Sequence, residues 1–131
     1  MTLPLSGTTE IRVRYAETDR MGLLHHANYL VYFEQARTEL LRGQGLTYRD
    51  MEDQGFFLVI TSVEVKYKSP AKYDDVLTIK TTVSRTTPVR IDHAYEVTCE
   101  GRLVAEAKTT LACVDRSGKL QALPESLRER G

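Results

Sequence analysis

The sequence predicts an α+β fold with one long helix and a five-stranded antiparallel sheet. Apolar and polar residues alternate through five separate stretches of the chain, which is the pattern of strands with one buried face. Apolar residues recur at helical spacing through one long stretch, soon after the first of these strands. The predicted order is therefore one strand, one long helix and four further strands.

The first strand and the helices can be delimited from local signals. Alternation of apolar and charged side chains predicts a strand over residues 9–15. Asn28 is a suitable N-cap for the long helix, because its side chain can accept from an N–H of the first turn. Gly43 or Gly45 is expected to end this helix in a left-handed conformation. A short second helix is predicted to start at Thr47, which begins a capping-box pattern.

The rest of the chain is predicted to form four strands and a short tail. The strand boundaries follow from alternating β-branched residues and from intervening turns that contain Pro, Asp or Gly. The predicted strands cover residues 57–67, 76–84, 89–99 and 103–114. In the polar tail that follows, Leu120, Leu123 and Leu127 are expected to pack locally.

Length, charge and cysteine content limit the classes of protein to consider. The 131 residues predict a single domain, 1–131, with its core at about 9–115 and a short C-terminal tail. Lysine plus arginine equals aspartate plus glutamate, at 18 each, so no net charge favours nucleic acid or membrane. No signal-peptide pattern or membrane-spanning apolar run is present. Cys99 and Cys113 lack metal-binding spacing, which predicts free thiols in a reducing cytoplasm.

The segment covering residues 17–37 concentrates the residues that could perform chemistry. Asp19, Gly22, His25, His26 and Asn28 lie close together just before the predicted long helix. A carboxylate and an imidazole beside a helix N-terminus can attack a carbonyl and stabilise the resulting oxyanion. This pattern therefore indicates acyl chemistry.

Two motifs give the chain a family resemblance. The first motif comprises Tyr15, Thr18, Asp19, Gly22, His26, Asn28, Tyr29, Glu34 and Arg37. The second motif comprises Tyr67, Pro70, Ala71, Asp74 and Asp75. With these motifs the sequence resembles the hotdog-fold acyl-CoA thioesterases, and within them the 4-hydroxybenzoyl-CoA thioesterase and YbgC-like group. The resemblance implies a sheet wrapped around a long central helix. It also implies hydrolysis of an acyl-CoA thioester to a carboxylic acid and free CoA.

The resemblance further implies roles for individual residues. Asp19 stands where the family has its catalytic carboxylate, which acts as a nucleophile or as a general base on water. His26 stands just before the helix, where YbgC-like members have a histidine, and is the second candidate catalytic residue. In the family a backbone N–H at this junction polarises the carbonyl. Ala27, Asn28 and Tyr29 are therefore the candidate oxyanion and positioning residues.

The same resemblance predicts how the substrate is bound. The acyl group is expected to lie against Val59, Ile60 and Thr61 of a facing subunit. Arg85 and Arg90 are the candidate contacts to the nucleotide of CoA. No metal ion and no redox cofactor is expected. A homodimer or homotetramer is also expected on independent grounds, because one helix covers only one face of such a sheet and leaves its edges open.

Three alternatives remain open from the sequence. A hotdog hydratase or dehydratase would need an acid–base pair directed at the acyl α and β carbons. An acyl-ACP thioesterase would prefer the thioester of a carrier protein. A non-catalytic acyl-CoA-binding module needs no carboxylate beside the carbonyl, so the presence of Asp19 disfavours it.

Overall fold

Five strands and two α-helices form the regular structure of the computed structural model, which describes residues 5–128. The strands are β1 (Leu5–Arg12), β2 (Phe57–Tyr67), β3 (Val76–Thr86), β4 (Arg90–Cys99) and β5 (Arg102–Val114). The helices are α1 (Asn28–Arg42) and α2 (Tyr48–Asp53). The strands pair antiparallel in the order β1-β3-β4-β5-β2, and the predicted fold class is therefore confirmed.

The first strand is displaced from its predicted position. β1 begins at Leu5 and ends at Arg12, whereas alternation predicted residues 9–15. Its early residues lack an apolar pattern and are strand because they pair with β3, beginning with Leu5 opposite Val83. The chain then leaves the sheet in a short 3₁₀ turn, Tyr15–Glu17, which leads into the segment that contains Asp19.

The start of α1 also differs from the prediction. Ala27, rather than Asn28, is the N-cap, and its backbone is already in the helical region at φ −66° and ψ −26°. Asn28 is the first helical residue, and its side chain donates to the carbonyl of Glu17 at 2.9 Å. A tertiary contact therefore occupies the side chain that the sequence pattern assigned to the cap. At the other end, Gly45 has the left-handed φ of +78°, while Gly43 remains helical.

α1 packs one face against the β1 and β3 side of the sheet. The apolar residues of this face are buried and recur at helical spacing: Tyr29, Tyr32, Phe33, Ala36, Leu40 and Leu41. No helix within residues 5–128 combines the length and apolar character needed to cross a membrane.

β2 forms an edge of the sheet and is largely exposed. Its residues Val59, Ile60, Val63 and Tyr67 are between 39% and 50% exposed, although all four are large and apolar or aromatic. The outer edge of β2 has no neighbouring strand in the described part of the chain. An edge strand with exposed apolar side chains can pair with a strand from another chain.

The C-terminal tail belongs to the core. Leu123 and Leu127 are 0% and 1% exposed and lie in an apolar cluster with Leu40 of α1. The N–H of Leu123 donates to the carbonyl of Pro88 at 2.9 Å, which fastens the tail to the β3–β4 connection. Leu120, in contrast, is 51% exposed. The core therefore extends past residue 115, and two of the three tail leucines contribute to it.

Candidate active site

The segment between the 3₁₀ turn and α1 folds into a tight hairpin. The N–H of Asp19 donates to the carbonyl of Leu23 at 2.8 Å, and the N–H of His25 donates to that of Glu17 at 2.9 Å. Gly22 closes the turn by donating to the carbonyl of Asp19 at 3.0 Å. Its φ of +77° is a conformation that glycine adopts without steric strain. The hairpin places Asp19 on one arm and His25 on the other.

The Asp19 carboxylate is held through one oxygen. Oδ1 accepts from the backbone N–H of Met21 at 2.8 Å and from that of Leu23 at 3.1 Å. Oδ2 has no donor among the described residues, and the side chain is exposed. The carboxylate therefore has a fixed direction and one oxygen that is available to a substrate or a water molecule.

Most backbone N–H groups at the start of α1 have acceptors. The N–H of Ala27 donates to Nδ1 of His25 at 3.2 Å. The N–H of Asn28 donates to the carbonyl of His25 at 3.0 Å, and that of Tyr29 donates to the carbonyl of His26 at 3.3 Å. The three N–H groups that the sequence suggested for the oxyanion thus bond within the turn itself.

The backbone N–H of His26 is different, because it has no acceptor within residues 5–128. A trans peptide directs its C=O and its N–H to opposite sides. Since the His25 carbonyl accepts from Asn28 inside the turn, the His26 N–H points away from that turn. It lies beside the positive end of the α1 dipole, which favours negative charge. The sequence pattern predicted an oxyanion donor at this junction but could not show that the His26 N–H is the one without an acceptor.

Asp19 and His26 line one cavity of about 410 Å³. The structure therefore brings the two candidate catalytic residues together. Tyr29 also lines this cavity, whereas Ala27 and Asn28 do not. The remaining lining residues come from the hairpin, from the end of β2 and from the segment after it: Leu23, Leu24, Tyr67, Lys68, Ser69 and Pro70.

Tyr67 joins β2 to the start of α1. Its hydroxyl donates to the carbonyl of His26 at 3.2 Å, and its ring meets that of Tyr29 edge to face, with centroids 5.2 Å apart. Burial raises the pKa of Tyr29 to about 12, so its phenol stays protonated at neutral pH. The sequence did not single out Tyr67 as a site residue, although it is the first residue of the second motif.

The candidate acyl and nucleotide contacts lie toward the opposite end of the sheet. The register of β2, β5 and β4 places Val59 and Arg90 in one row across the sheet. Tyr67 lies eight residues after Val59 in β2, which corresponds to about 26 Å because an extended strand rises about 3.3 Å per residue. Within one chain, none of these five candidate contacts lines the Asp19 cavity: Val59, Ile60, Thr61, Arg85 and Arg90.

A second group of polar residues is buried away from this cavity. Arg37 of α1 and His93 of β4 are 7% and 4% exposed, and Arg37 lies 3.5 Å from the Tyr95 hydroxyl. His93 Nδ1 has no hydrogen-bond partner among the described residues. Burial, and to a smaller extent the nearby Arg37, lower the pKa of His93 to about 4, while Asp92 opposes this shift. Within residues 5–128, no three His, Cys, Asp or Glu side chains cluster as metal ligands would.

Comparison with known proteins gives consistent matches over nearly the whole chain. Residues 13–131 match the family described as the thioesterase-like superfamily. The chain is 33% identical to the acyl-CoA thioester hydrolase YbgC of Escherichia coli over 89% of each protein. It is 34% identical to the acyl-CoA thioesterase YbgC of Haemophilus influenzae, over 90% of this chain and 88% of the relative. Among solved structures, the DHNA-CoA thioesterase of Staphylococcus aureus superposes with a TM-score of 0.87 at 37% identity, covering 90% of this chain and 80% of that one.

Proposed function

Since this chain belongs to the thioesterase-like superfamily and is an acyl-CoA thioesterase, we propose that Asp19 cleaves the thioester at the N-terminus of α1. One observation carries the proposal. The free Oδ2 of Asp19 and the free N–H of His26 belong to residues that line the same cavity. A thioester carbonyl bound between them would meet a base or nucleophile on one side and a hydrogen-bond donor on the other.

The chemistry needs few groups. Asp19 either attacks the carbonyl carbon, forming an acyl anhydride that water then hydrolyses, or removes a proton from an attacking water molecule. In both cases the carbonyl oxygen becomes an oxyanion, which accepts from the His26 N–H at the positive end of α1. Collapse of the tetrahedral adduct expels the CoA thiolate. A thiol of pKa about 8.5 is a good leaving group, so strong general-acid assistance is unnecessary.

His26 contributes its backbone N–H, which binds the oxyanion, and its imidazole. The backbone N–H is the more important of the two. The imidazole lies against that of His25, with ring centroids 4.2 Å apart and ring planes tilted by 30°. It is exposed and His26 lines the cavity, so the ring can orient the substrate. Ala27 and Asn28 act by fixing the first turn, since their N–H groups bond to His25. Tyr29 shapes the wall of the cavity.

A second copy of the chain would complete the site. Antiparallel pairing of two β2 edges about Val63 would set Val59 of one copy opposite Tyr67 of the other. Thr61 of one copy would then lie opposite Val65 of the other, so that the segment containing Ile60 reaches the partner's cavity. The exposed apolar side chains of β2 support this homodimer, because pairing would bury them.

The same pairing explains how basic residues at the far end of the sheet could contact CoA. Arg90 shares a row with Val59, separated by one strand. In the paired dimer, Arg90 of one copy would lie three strand spacings, or about 14 Å, from Tyr67 of the other. Arg85 lies one residue beyond a register shift in β3, toward the same end. We assign both arginines to the phosphates of the nucleotide, which guanidinium groups bind well.

The cytoplasm is the compartment that the cysteines favour. Cys99 and Cys113 are both buried free thiols, and they lie in different strands. Proteins of oxidising compartments commonly use their cysteines in disulfides, whereas cytoplasmic proteins keep them reduced.

Release of free thiol from short, long and aromatic acyl-CoAs, and from the corresponding carrier-protein thioesters, tests this proposal. We expect turnover of at least one acyl-CoA by the wild type. We expect a loss of at least about a hundredfold in kcat in Asp19→Asn, since general-base catalysis contributes about 10²–10⁴. Turnover of carrier-protein thioesters alone would change the substrate assignment. Full activity in Asp19→Asn would refute the mechanism.

A further inference from the structure

Glu17 is a buried carboxylate two residues before Asp19. It is 7% exposed and does not line the cavity. Its Oε1 accepts from the Tyr32 hydroxyl at 2.6 Å and from the Arg14 N–H at 2.8 Å, and its Oε2 accepts from Nη2 of Arg14 at 3.2 Å. An ionised carboxylate in such a position is unfavourable unless donors satisfy it. The three donors meet that need.

The protonation states of Glu17 and Tyr32 agree with this geometry. Burial by itself raises the pKa of Glu17, but donation by Tyr32 and Arg14 outweighs burial and leaves that pKa lowered. Burial and the same hydrogen bond raise the pKa of Tyr32. At neutral pH the phenol therefore keeps its proton and donates it to a carboxylate, which makes a strong charge-assisted bond.

The backbone of Glu17 contacts the other half of the site. Its carbonyl accepts from the N–H of His25 at 2.9 Å and from the side chain of Asn28 at 2.9 Å. These two residues flank the segment that contains His26. Glu17 therefore binds the second turn of α1 through its carboxylate, and the residues around the first turn through its carbonyl.

These contacts hold the His25–His26 peptide directly, and they hold the arm that contains Asp19 through the hairpin. The His25–His26 peptide is held because the N–H of His25 bonds to Glu17 and its carbonyl bonds to Asn28, which leaves the His26 N–H pointing outward. The neighbouring hydrogen bond between the two arms of the hairpin runs from the Asp19 N–H to the Leu23 carbonyl. A shift of Glu17 would move both arms relative to α1.

We propose that Glu17 and Tyr32 form a positioning pair. The pair holds the Asp19 carboxylate and the His26 N–H in the relative positions needed to act on the same substrate carbonyl. This inference rests on the proposed function of Asp19 and His26. The pair acts through the hairpin and does not touch the substrate, since neither side chain lines the cavity. A misplacement of about 1 Å can lower a rate by about 10², so loss of the pair should reduce kcat rather than substrate binding.

Three variants test the pair, with one matched control. Tyr32→Phe removes only the hydroxyl, Glu17→Gln removes the charge, and the double variant removes both. Tyr95→Phe is the control, because it deletes another buried tyrosine hydroxyl, which bonds to Thr109 at 2.7 Å, and Tyr95 neither hydrogen-bonds to Glu17 nor lines the cavity. For each variant we would measure kcat, KM and thermal stability with the best acyl-CoA, and amide hydrogen exchange over residues 17–28.

We expect Tyr32→Phe and Glu17→Gln each to lower kcat about tenfold with KM changed less than about twofold, and the double variant to be no worse than Glu17→Gln. Hydrogen exchange over residues 17–28 should accelerate in these variants only. Tyr95→Phe should keep its kcat within about twofold of the wild type even if it is destabilised as much as Tyr32→Phe.

An equal loss of kcat in Tyr95→Phe, or unchanged kcat in Tyr32→Phe, would overturn the proposal. A loss in Glu17→Gln as large as that in Asp19→Asn would instead identify Glu17 as a reacting group. If the wild type releases no thiol from any substrate, the proposed function fails, and the exchange data still decide whether the pair holds the hairpin.

Discussion

Asp19 and Asp115 head the same turn at two places in the molecule. Each Oδ1 accepts from the N–H groups two and four residues ahead, at 2.8 and 3.1 Å for Asp19 and at 2.9 and 3.0 Å for Asp115. Each turn contains a left-handed glycine, Gly22 at φ +77° or Gly118 at φ +85°. The hydrogen bonds of Oδ1 therefore have the same structural role in both residues, which is to cap a turn. The cavity and the adjoining start of α1 are what distinguish Asp19.

Removal of the His26 imidazole should lower activity much less than removal of the Asp19 carboxylate. His26→Ala keeps the backbone N–H that we assign to the oxyanion, and loses only an exposed ring. We expect kcat to fall less than about tenfold, compared with the hundredfold or larger effects typical of a lost general base. Steady-state thiol release checks this. A loss equal to that of Asp19→Asn would mean that the imidazole itself takes part in the reaction.

Two inactive variants should restore each other if the site is shared between subunits. Asp19→Asn lacks the carboxylate, and Ile60→Arg blocks the surface proposed to reach the partner's cavity. Mixed after joint refolding, they should recover about a quarter of wild-type activity, because half of the dimers are mixed and each has one intact site. Each variant alone at the same total concentration is the control. No recovery, together with sedimentation as a monomer, would contradict the shared site.

His93 should make stability depend on pH. Its pKa is about 4 in the folded protein and 6.5 in an unfolded chain, so the unfolded state binds the proton more readily. The stability that neutral His93 provides is complete above pH 6.5 and is lost as pH falls toward 4. The difference corresponds to the order of 3 kcal/mol.

Urea unfolding of wild type and His93→Gln at pH 7, 5.5 and 4 measures this effect. The carboxylates are common to both proteins, so the difference in the free energy of unfolding isolates His93. We expect the wild type to lose more stability than the variant between pH 6.5 and 4. Parallel pH dependence of the two proteins would show that His93 is not buried in the neutral form.

The two kinds of tail leucine should respond differently to truncation. Leu123→Ala removes a side chain that is 0% exposed, and we expect it to lower the free energy of unfolding by about 2–5 kcal/mol. Leu120→Ala is the matched control, since Leu120 is 51% exposed and should change stability by less than about 0.5 kcal/mol. Chemical denaturation compares them. Similar small effects would place the tail outside the core.

Sequence periodicity was sufficient for the elements whose contacts are local or repeated. β2 begins and ends at its predicted residues, and α1 begins within one residue of its predicted start. The pairing of Asp19 with His26 also followed from the sequence, because both lie in one short segment before a helix. Gly22 and the helix start constrain that segment to a compact turn.

Features that depend on contacts distant in sequence were not predictable in this way. Asn28 is not the cap because Glu17, eleven positions earlier, accepts from its side chain. Glu17 lies in a segment without periodicity, so no sequence pattern indicated that it is buried. The only hint that it belongs to the site was its position, two residues before Asp19. Leu123 is buried because the tail meets Pro88, a contact that no local pattern encodes.

The most direct test compares Asp19→Asn with Asp115→Asn in the same thiol-release assay. Asparagine keeps an oxygen that can accept the two backbone N–H groups, so both turns should persist, and only the charge and the second carboxylate oxygen are lost. We predict that kcat falls at least about a hundredfold in Asp19→Asn and stays within about twofold of wild type in Asp115→Asn. Equal kcat in the two variants would contradict the assignment of Asp19 as the residue that cleaves the thioester.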